Sequence, residues 1–244
     1  LRLVNVYTHS FFEELIGPHG TVLDLGANVG KFATLITERY PCRCVAVEPA
    51  PNEFRQIPSN ARIQAHNLAV CGQPGEVVLN LTANSECNSL GKVPGHNYTD
   101  SVRVRAVTLD DALKLVSADQ VSLLKLDIEG SEIDVLGTAD PAVLRRFDQI
   151  TVEFHDCYDM TPEPVVRDTI RKVRDAGFHV LCFYRGPRRH IDVLFVNRLR
   201  MGTLRYAVEI ARHWAPRIVR AAWRRITGTV SSEEWFYSGA ASDK

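Results

Sequence analysis

The chain has 244 residues, with 29 basic and 29 acidic side chains, 45% hydrophobic residues and 24% charged ones. These proportions exclude a disordered, collagen-like or disulfide-scaffold chain and leave enough apolar material for one large core without cross-links. No apolar run approaches the 18 residues of a membrane span, no secretory signal is visible, and six cysteines without a CxxC pair or zinc spacing are expected to be reduced thiols of a cytosolic protein.

In chain order, Thr21–Leu25 reads as a buried strand that breaks at Gly26, and residues 31–40 have helical spacing. Cys44–Glu48 is a second strand, stopped by Pro49 and Pro51, and residues 63–70 make a third. Residues 76–108 interrupt the alternation. Val77–Leu81 and Val102–Val107 are spaced as a β-hairpin around a polar stretch from Asn84 to Asp100, expected to be a lid facing a substrate. Thr108-x-x-Asp111 reads as a helix capping box. Ser122–Asp127 and Gln149–Phe154 are the fourth and fifth strands, and residues 162–176 form a helix ended by Gly177. His179–Tyr184 and Ile191–Val196, joined by an Arg-Gly-Pro-Arg-Arg turn, are expected to pair antiparallel. Strands separated by helices imply a mostly parallel sheet covered on both faces.

The zero net charge conceals an asymmetry. Between Arg198 and Arg225 eight arginines face one acid, Glu209, so this segment carries +7 and the rest of the chain −7. A boundary is placed there, giving a main domain over 1–197 and a basic helical extension over 198–244. In the extension Leu204, Val208, Ala211, Ala215, Val219, Ala222 and Ile226 recur every three or four residues, with Pro216 kinking the helix or starting a second one. Such helices pack on the body or on a second subunit, as in a homodimer. They also suit the surface of an anionic membrane, where Trp214 and Trp223 fit the interface.

Asp24-Leu-Gly26-Ala-Asn28-Val-Gly30 lies where the first strand turns into the first helix. Gly26 and Gly30 allow close approach of the backbone to a ligand, and the helix start offers free N–H groups. Glu48, 22 residues beyond Gly26, ends the second strand, where an acid suits two ribose hydroxyls. Both features fit a nucleoside-containing cofactor. The dinucleotide pattern GxGxxG fails, because Asn28 and Lys31 occupy its second and third glycines; this disfavours a nicotinamide dehydrogenase.

D-x-G-x-x-x-G followed by the strand-end acid resembles the first two motifs of class I S-adenosylmethionine methyltransferases. The likeness then narrows. Val-Glu-Pro (47–49), His-Asn-Leu-Ala-Val (66–70), Thr-Leu-Asp-Asp (108–111), Lys-Leu-Asp-Ile-Glu-Gly-Ser-Glu (125–132), Val-Glu-Phe-His (152–155) and Asp-Val-Leu-Phe-Val-Asn (192–197) follow in this order. Together they resemble the FkbM-type methyltransferase family, whose members methylate hydroxyl groups, often of sugars or polyketides. The resemblance runs from about Thr21 to Asn197. It implies an α/β class I methyltransferase fold, Rossmann-like and doubly wound, with strand order 3-2-1-4-5-7-6 and strand 7 antiparallel. The inserted hairpin and the helical C-terminal extension add to that fold. It implies S-adenosylmethionine as cofactor, held by Asp24, Gly26, Asn28, Gly30 and Glu48, with Asn67 and Ala69 beside the adenine. An arginine-rich composition, 23 against six lysines, fits a GC-rich genome of the actinobacterial kind.

In that order the fourth and fifth strands are neighbours. Asp127 ends one, and Glu153 and His155, two residues apart and so on one face, end the other. Methyl transfer from a sulfonium requires alignment of the attacking oxygen and removal of its proton. A sugar hydroxyl is a very weak acid, which a divalent ion makes stronger. Asp127, Glu153 and His155 are therefore expected to be catalytic and to form a Mg²⁺ site. The rival readings are His155 as a metal-free base oriented by Asp127, and a purely structural role for all three. Glu129 and Glu132 suit the first turn of a helix. His96, Asn97, Tyr98, Tyr158, Arg185, Arg188 and Arg189 are candidates to meet an acceptor, with a solvated surface role as the stronger reading of each, and Tyr7 and His9 are candidates to lie over the cofactor. The expected function is O-methylation of a sugar hydroxyl in a polysaccharide, glycolipid or glycosylated natural product. The alternatives are a polyketide hydroxyl or a non-catalytic protein that binds S-adenosylmethionine. Nucleic acid is not an expected partner, because the body is acidic and the fourth strand lacks the Asn-Pro-Pro-Tyr of base methyltransferases.

Overall fold

The computed structural model describes residues 1–92, 96–155, 163–185 and 190–212. Among the described residues twelve strands run in chain order: β1 (Leu3–Val6), β2 (His9–Phe12), β3 (Thr21–Leu25), β4 (Arg43–Val47), β5 (Ile63–His66), β6 (Ala69–Val70), β7 (Gly75–Thr82), β8 (Tyr98–Val107), β9 (Leu123–Leu126), β10 (Gln149–Phe154), β11 (Phe178–Arg185) and β12 (His190–Asn197). The helices are α1 (Lys31–Arg39), α2 (Pro51–Phe54), α3 (Leu109–Leu113), α4 (Glu132–Thr138), α5 (Pro141–Leu144) and α6 (Glu163–Asp175), and residues 203–212 are helical as well.

Seven strands form the main sheet in the order β11-β12-β10-β9-β3-β4-β5. Counting only these seven along the chain, and reading from the β5 edge, the order is the expected 3-2-1-4-5-7-6. β12 runs antiparallel to both neighbours and the other described pairs are parallel. Alternation along each strand feeds two cores. Leu23, Leu25, Leu124 and Leu126 join α3, α4, α5 and α6 on one face. Val22, Cys44, Ala46 and Leu123 join α1 and the β1–β2 hairpin on the other.

The third expected strand is divided. Ile63–His66 pairs with β4, but Ala69–Val70 leaves the main sheet and pairs with β8 in a separate sheet of order β6-β8-β7. The side chain of Asn67 makes this break, its Nδ2 donating to the carbonyls of Glu48 and Pro49 at 2.8 Å each. The inserted hairpin is present: β7 and β8 pair antiparallel from Gly75↔Ala106 to Leu81↔Asp100. Thr108 caps α3, its Oγ1 accepting from the Asp111 amide.

Besides its apolar packing, the N-terminal hairpin is held by one buried amide side chain. Gln149, fully buried at the start of β10, accepts from the Phe12 amide at 2.9 Å and donates to the Phe12 carbonyl at 3.0 Å. Gln149→Leu would leave both backbone groups buried without partners, so the chain is expected to lose about 2–4 kcal/mol of stability in urea denaturation.

The beginning of the basic extension packs on the body. Tyr206 stacks on His179 with centroids 4.1 Å apart and donates to the Val180 carbonyl at 2.7 Å. Glu209, buried, lies 3.3 Å from the backbone nitrogen of Leu1. Residues 213–244, with Pro216, Trp214 and Trp223, lie outside the described residues, as do Tyr158, Arg188, Arg189 and the Arg185 side chain. No helix among the described residues is long and apolar enough to cross a membrane. The five described cysteines form no disulfide.

Candidate active site

At the carboxyl ends of β3, β4, β9 and β10 lies a cavity of about 590 Å³, within the size range of small-molecule sites. Its floor is the turn after β3. Gly26 and Gly30 adopt φ of +77° and +78°, and Asn28, at +49°, is left-handed as well, a conformation asparagine tolerates. A Cβ on Gly26 would stand 1.8 Å from the Asp127 carbonyl oxygen, so only glycine fits between the turn and β9. Glu48 pins the same turn from β4, its carboxylate accepting from the amides of Asn28 and Ala50 at 2.8 Å each. Burial, working against those two donors, pushes its carboxyl up to about 7.

Asp24, completely buried, does not line the cavity. It stands 3.2 Å from Lys125 Nζ, and Lys125 donates to the Gly26 carbonyl at 2.7 Å. Lys125 also lies 3.5 Å from Asp127 Oδ2. Burial disfavours its charge, but Asp24 and Asp127 outweigh burial and hold it firmly protonated. This lysine, which the sequence offered only as a letter in a motif, ties the cofactor turn to the acid at the end of β9. Of the pair expected beside the adenine, Ala69 lines the cavity with its neighbours Leu68 and Val70. Asn67 is occupied by the chain break and does not line it.

Asp127, Glu129, Glu153 and His155 line the same cavity just past the ends of β9 and β10. The ring of His155 is set by Glu132, whose Oε1 is 3.0 Å from Nδ1, while Nε2 lies 3.4 Å from Glu129 and 3.7 Å from Asp127. Glu132 is 1% exposed and also accepts from the amides of Ile128 and Gly130. It thus organises the turn that holds Glu129 at a φ of +52° and also orients the imidazole. Burial opposes the charge on His155, yet Glu132 and Glu129 prevail and raise it well above the usual histidine range. Burial likewise opposes the charge on Asp127, but Lys125 and the two histidines keep its carboxylate ionised. Burial and the nearby charges of Asp127 and Asp192 push Glu153 up to about 7, and burial raises Glu129 as well. Two groupings of ligand atoms within 4.8 Å occur among the described residues, His9–Asp127–Glu153 and Asp127–Glu132–His155, so the expected trio is shared between them.

The roof comes from two segments. Tyr7 and Thr8 form the two-residue turn between β1 and β2, with φ of +41° and +73°, the primed geometry usually given to Asn-Gly. Tyr7 donates to Glu86 at 3.2 Å, and Asn28 Nδ2 donates to Ser85 Oγ at 3.3 Å, so the loop of the inserted hairpin closes onto the cofactor turn. His9 lies beneath, 3.4 Å from Asp127. Tyr98 holds its own loop through Ser89, at 3.0 Å, and neither it, His96 nor Asn97 lines the cavity.

A sheet of order 3-2-1-4-5-7-6, with a glycine turn at the switch point and an acid on the next strand, defines a class I methyltransferase fold. The family model described as "Methyltransferase FkbM domain" matches residues 24–180, and the chain belongs to that family. AMB antimetabolite synthetase AmbE of Pseudomonas aeruginosa is 27% identical over 63% of this chain and 10% of its own length. Methyltransferase 1 of Beauveria bassiana is 28% identical over 55% of this chain and 64% of its own. The chain therefore spans less than two thirds of each of these relatives. Among solved structures, the fibrillarin/Nop5p complex resembles it with a TM-score of 0.46 and 15% identity over 73% of each chain.

Proposed function

We propose that this protein transfers the methyl group of S-adenosylmethionine to a hydroxyl oxygen, most suitably of a sugar in a polysaccharide, glycolipid or glycosylated natural product. One observation carries the reading: a single cavity joins the turn at Gly26–Gly30 and Glu48 to the carboxylates at the tips of β9 and β10. In the transfer, an acceptor lone pair forms the O–C bond while the S–C electrons return to sulfur. The sulfonium becomes a neutral thioether, and the hydroxyl proton passes to a carboxylate. Glu153, pushed up to about 7, is suited to accept it near neutral pH, and burial raises the neighbouring Glu129 as well, whereas Asp127 acts as a fixed anion. His155, held protonated by two glutamates, serves as a donor that orients the acceptor, not as the base. A divalent cation at the strand tips is part of the proposal and would make the hydroxyl more acidic.

The test is formation of S-adenosylhomocysteine and of a product heavier by one CH₂ when the full chain is incubated with labelled S-adenosylmethionine and glycan or glycoside acceptors. Absence of S-adenosylhomocysteine binding would end this reading. A second acceptor class, a polyketide or other natural-product hydroxyl, is favoured by the similarity to a synthetase named for an antimetabolite.

Glu48 supplies a pH signature. A ribose that donates two hydroxyls needs the carboxylate, so below about pH 7 binding must first expel a proton. Affinity for S-adenosylhomocysteine is expected to fall toward tenfold per pH unit below that value and to level off above it. Calorimetric titrations between pH 5.5 and 8.5 check this, with Glu48→Gln binding weakly and with the slope removed.

A further inference from the structure

The acceptor end of the cavity holds more acids than cations among the described residues. Lys125 lies between Asp24 and Asp127, and His155 is engaged by Glu132, Glu129 and, at 3.7 Å, Asp127. Beside these pairs, His9 Nε2 and one carboxylate oxygen each from Asp127 and Glu153 lie within 4.8 Å of one another. His9 is a second and independent sign of a ligand. Its side chain is 2% exposed, and its Nε2 stands 3.4 Å from Asp127 Oδ2, an electrostatic contact that misses hydrogen-bond geometry. An imidazole nitrogen buried beside a carboxylate without a shared hydrogen bond is what an ion between them would use. The ring follows directly on the strained Tyr7–Thr8 turn, a cost that persists where surrounding structure fixes a functional group.

The geometry points to a divalent-cation site formed by His9, Asp127 and Glu153, with His155 outside its ligand set. Two carboxylates and one imidazole suit a Mg²⁺- or Mn²⁺-class ion that keeps open positions for water and for the acceptor oxygen. A positive ion also has a chemical purpose here. Methyl transfer discharges the sulfonium, and the excess of carboxylates over Lys125 and His155 would favour the charged reactant over the transition state. With Glu153 on the ion, the acceptor proton passes to Glu129, which lines the same cavity. The inference rests on the hydroxyl-methylation reading given above.

Mn²⁺ is the probe. The full chain, saturated with S-adenosylhomocysteine, is titrated while the free-ion paramagnetic signal is followed. One ion per chain is expected, with His9→Gln weakening binding at least tenfold and His155→Gln changing it less than threefold. No bound Mn²⁺, or equal weakening by both variants, overturns the assignment. Should His9→Gln fail to fold, Glu153→Gln carries the same comparison. The two readings fail separately: turnover without Mn²⁺ binding removes the ion site and leaves methyl transfer intact, whereas loss of S-adenosylhomocysteine binding removes the methyltransferase reading itself.

Discussion

Asp127→Asn is expected to lower methyl transfer roughly 10²–10³-fold, the range found when one fixed electrostatic partner of a transition state is removed. Affinity for S-adenosylhomocysteine should change less than threefold. The carboxylate faces Lys125 at 3.5 Å, His9 at 3.4 Å and His155 at 3.7 Å. Asparagine keeps the shape and removes the charge, so the imidazolium of His155 loses one anchor and His9 its neighbour. The cofactor turn survives, because Lys125 still reaches Asp24 and the Gly26 carbonyl. Turnover and binding are measured separately, by product formation and by calorimetry. Equal losses in both would place Asp127 in donor binding instead.

Lys125→Met is expected to be the most destabilising substitution at the site. Lys125 is 3% exposed and Asp24 fully buried. Removing one member of such a pair leaves the other uncompensated, at a cost of about 3–5 kcal/mol. The Gly26 carbonyl also loses its donor, so binding of S-adenosylhomocysteine should weaken along with stability. The combined variant Asp24→Asn with Lys125→Met removes the stranded charge and should recover more than half of the lost stability, read from urea midpoints of the four proteins. Additive losses would mean that the two side chains do not act as a pair.

Much of this arrangement is legible in the sequence because it depends on local chemistry. Asp24 to Gly30 is a strand, a turn and a helix start within seven residues, and Glu48, Asp127 and Glu153 each stand where a run of β-branched or aliphatic residues ends. Alternation and glycine positions are enough to find them. The rest depends on contacts between distant segments. Residues 63–70 look like one strand, since nothing in their pattern discloses that the Asn67 amide will bond the carbonyls of Glu48 and Pro49 and turn the chain into another sheet. The N-terminal hairpin is hidden because Tyr7-Thr8 replaces the glycine or asparagine that normally marks such a turn. Glu132 reads as an acid favouring a helix start; that it also fixes the ring of His155, 23 residues away, follows only from the parallel pairing of β9 with β10. Lys125 alternates with leucines in a central strand, and no local signal separates a buried lysine with a buried aspartate partner from one at the sheet edge.

The switch point has a consequence for synthesis of the chain. Val22 pairs with Leu123, so the two central strands meet only after about a hundred intervening residues have been gathered in, whereas β7–β8 and β11–β12 join near neighbours. Closing so long a loop is entropically costly and slow. On the ribosome β3 and its glycine turn therefore lack their neighbour β9 until the second half of the chain emerges, and the acceptor side of the cavity is incomplete until His155 has left the exit tunnel.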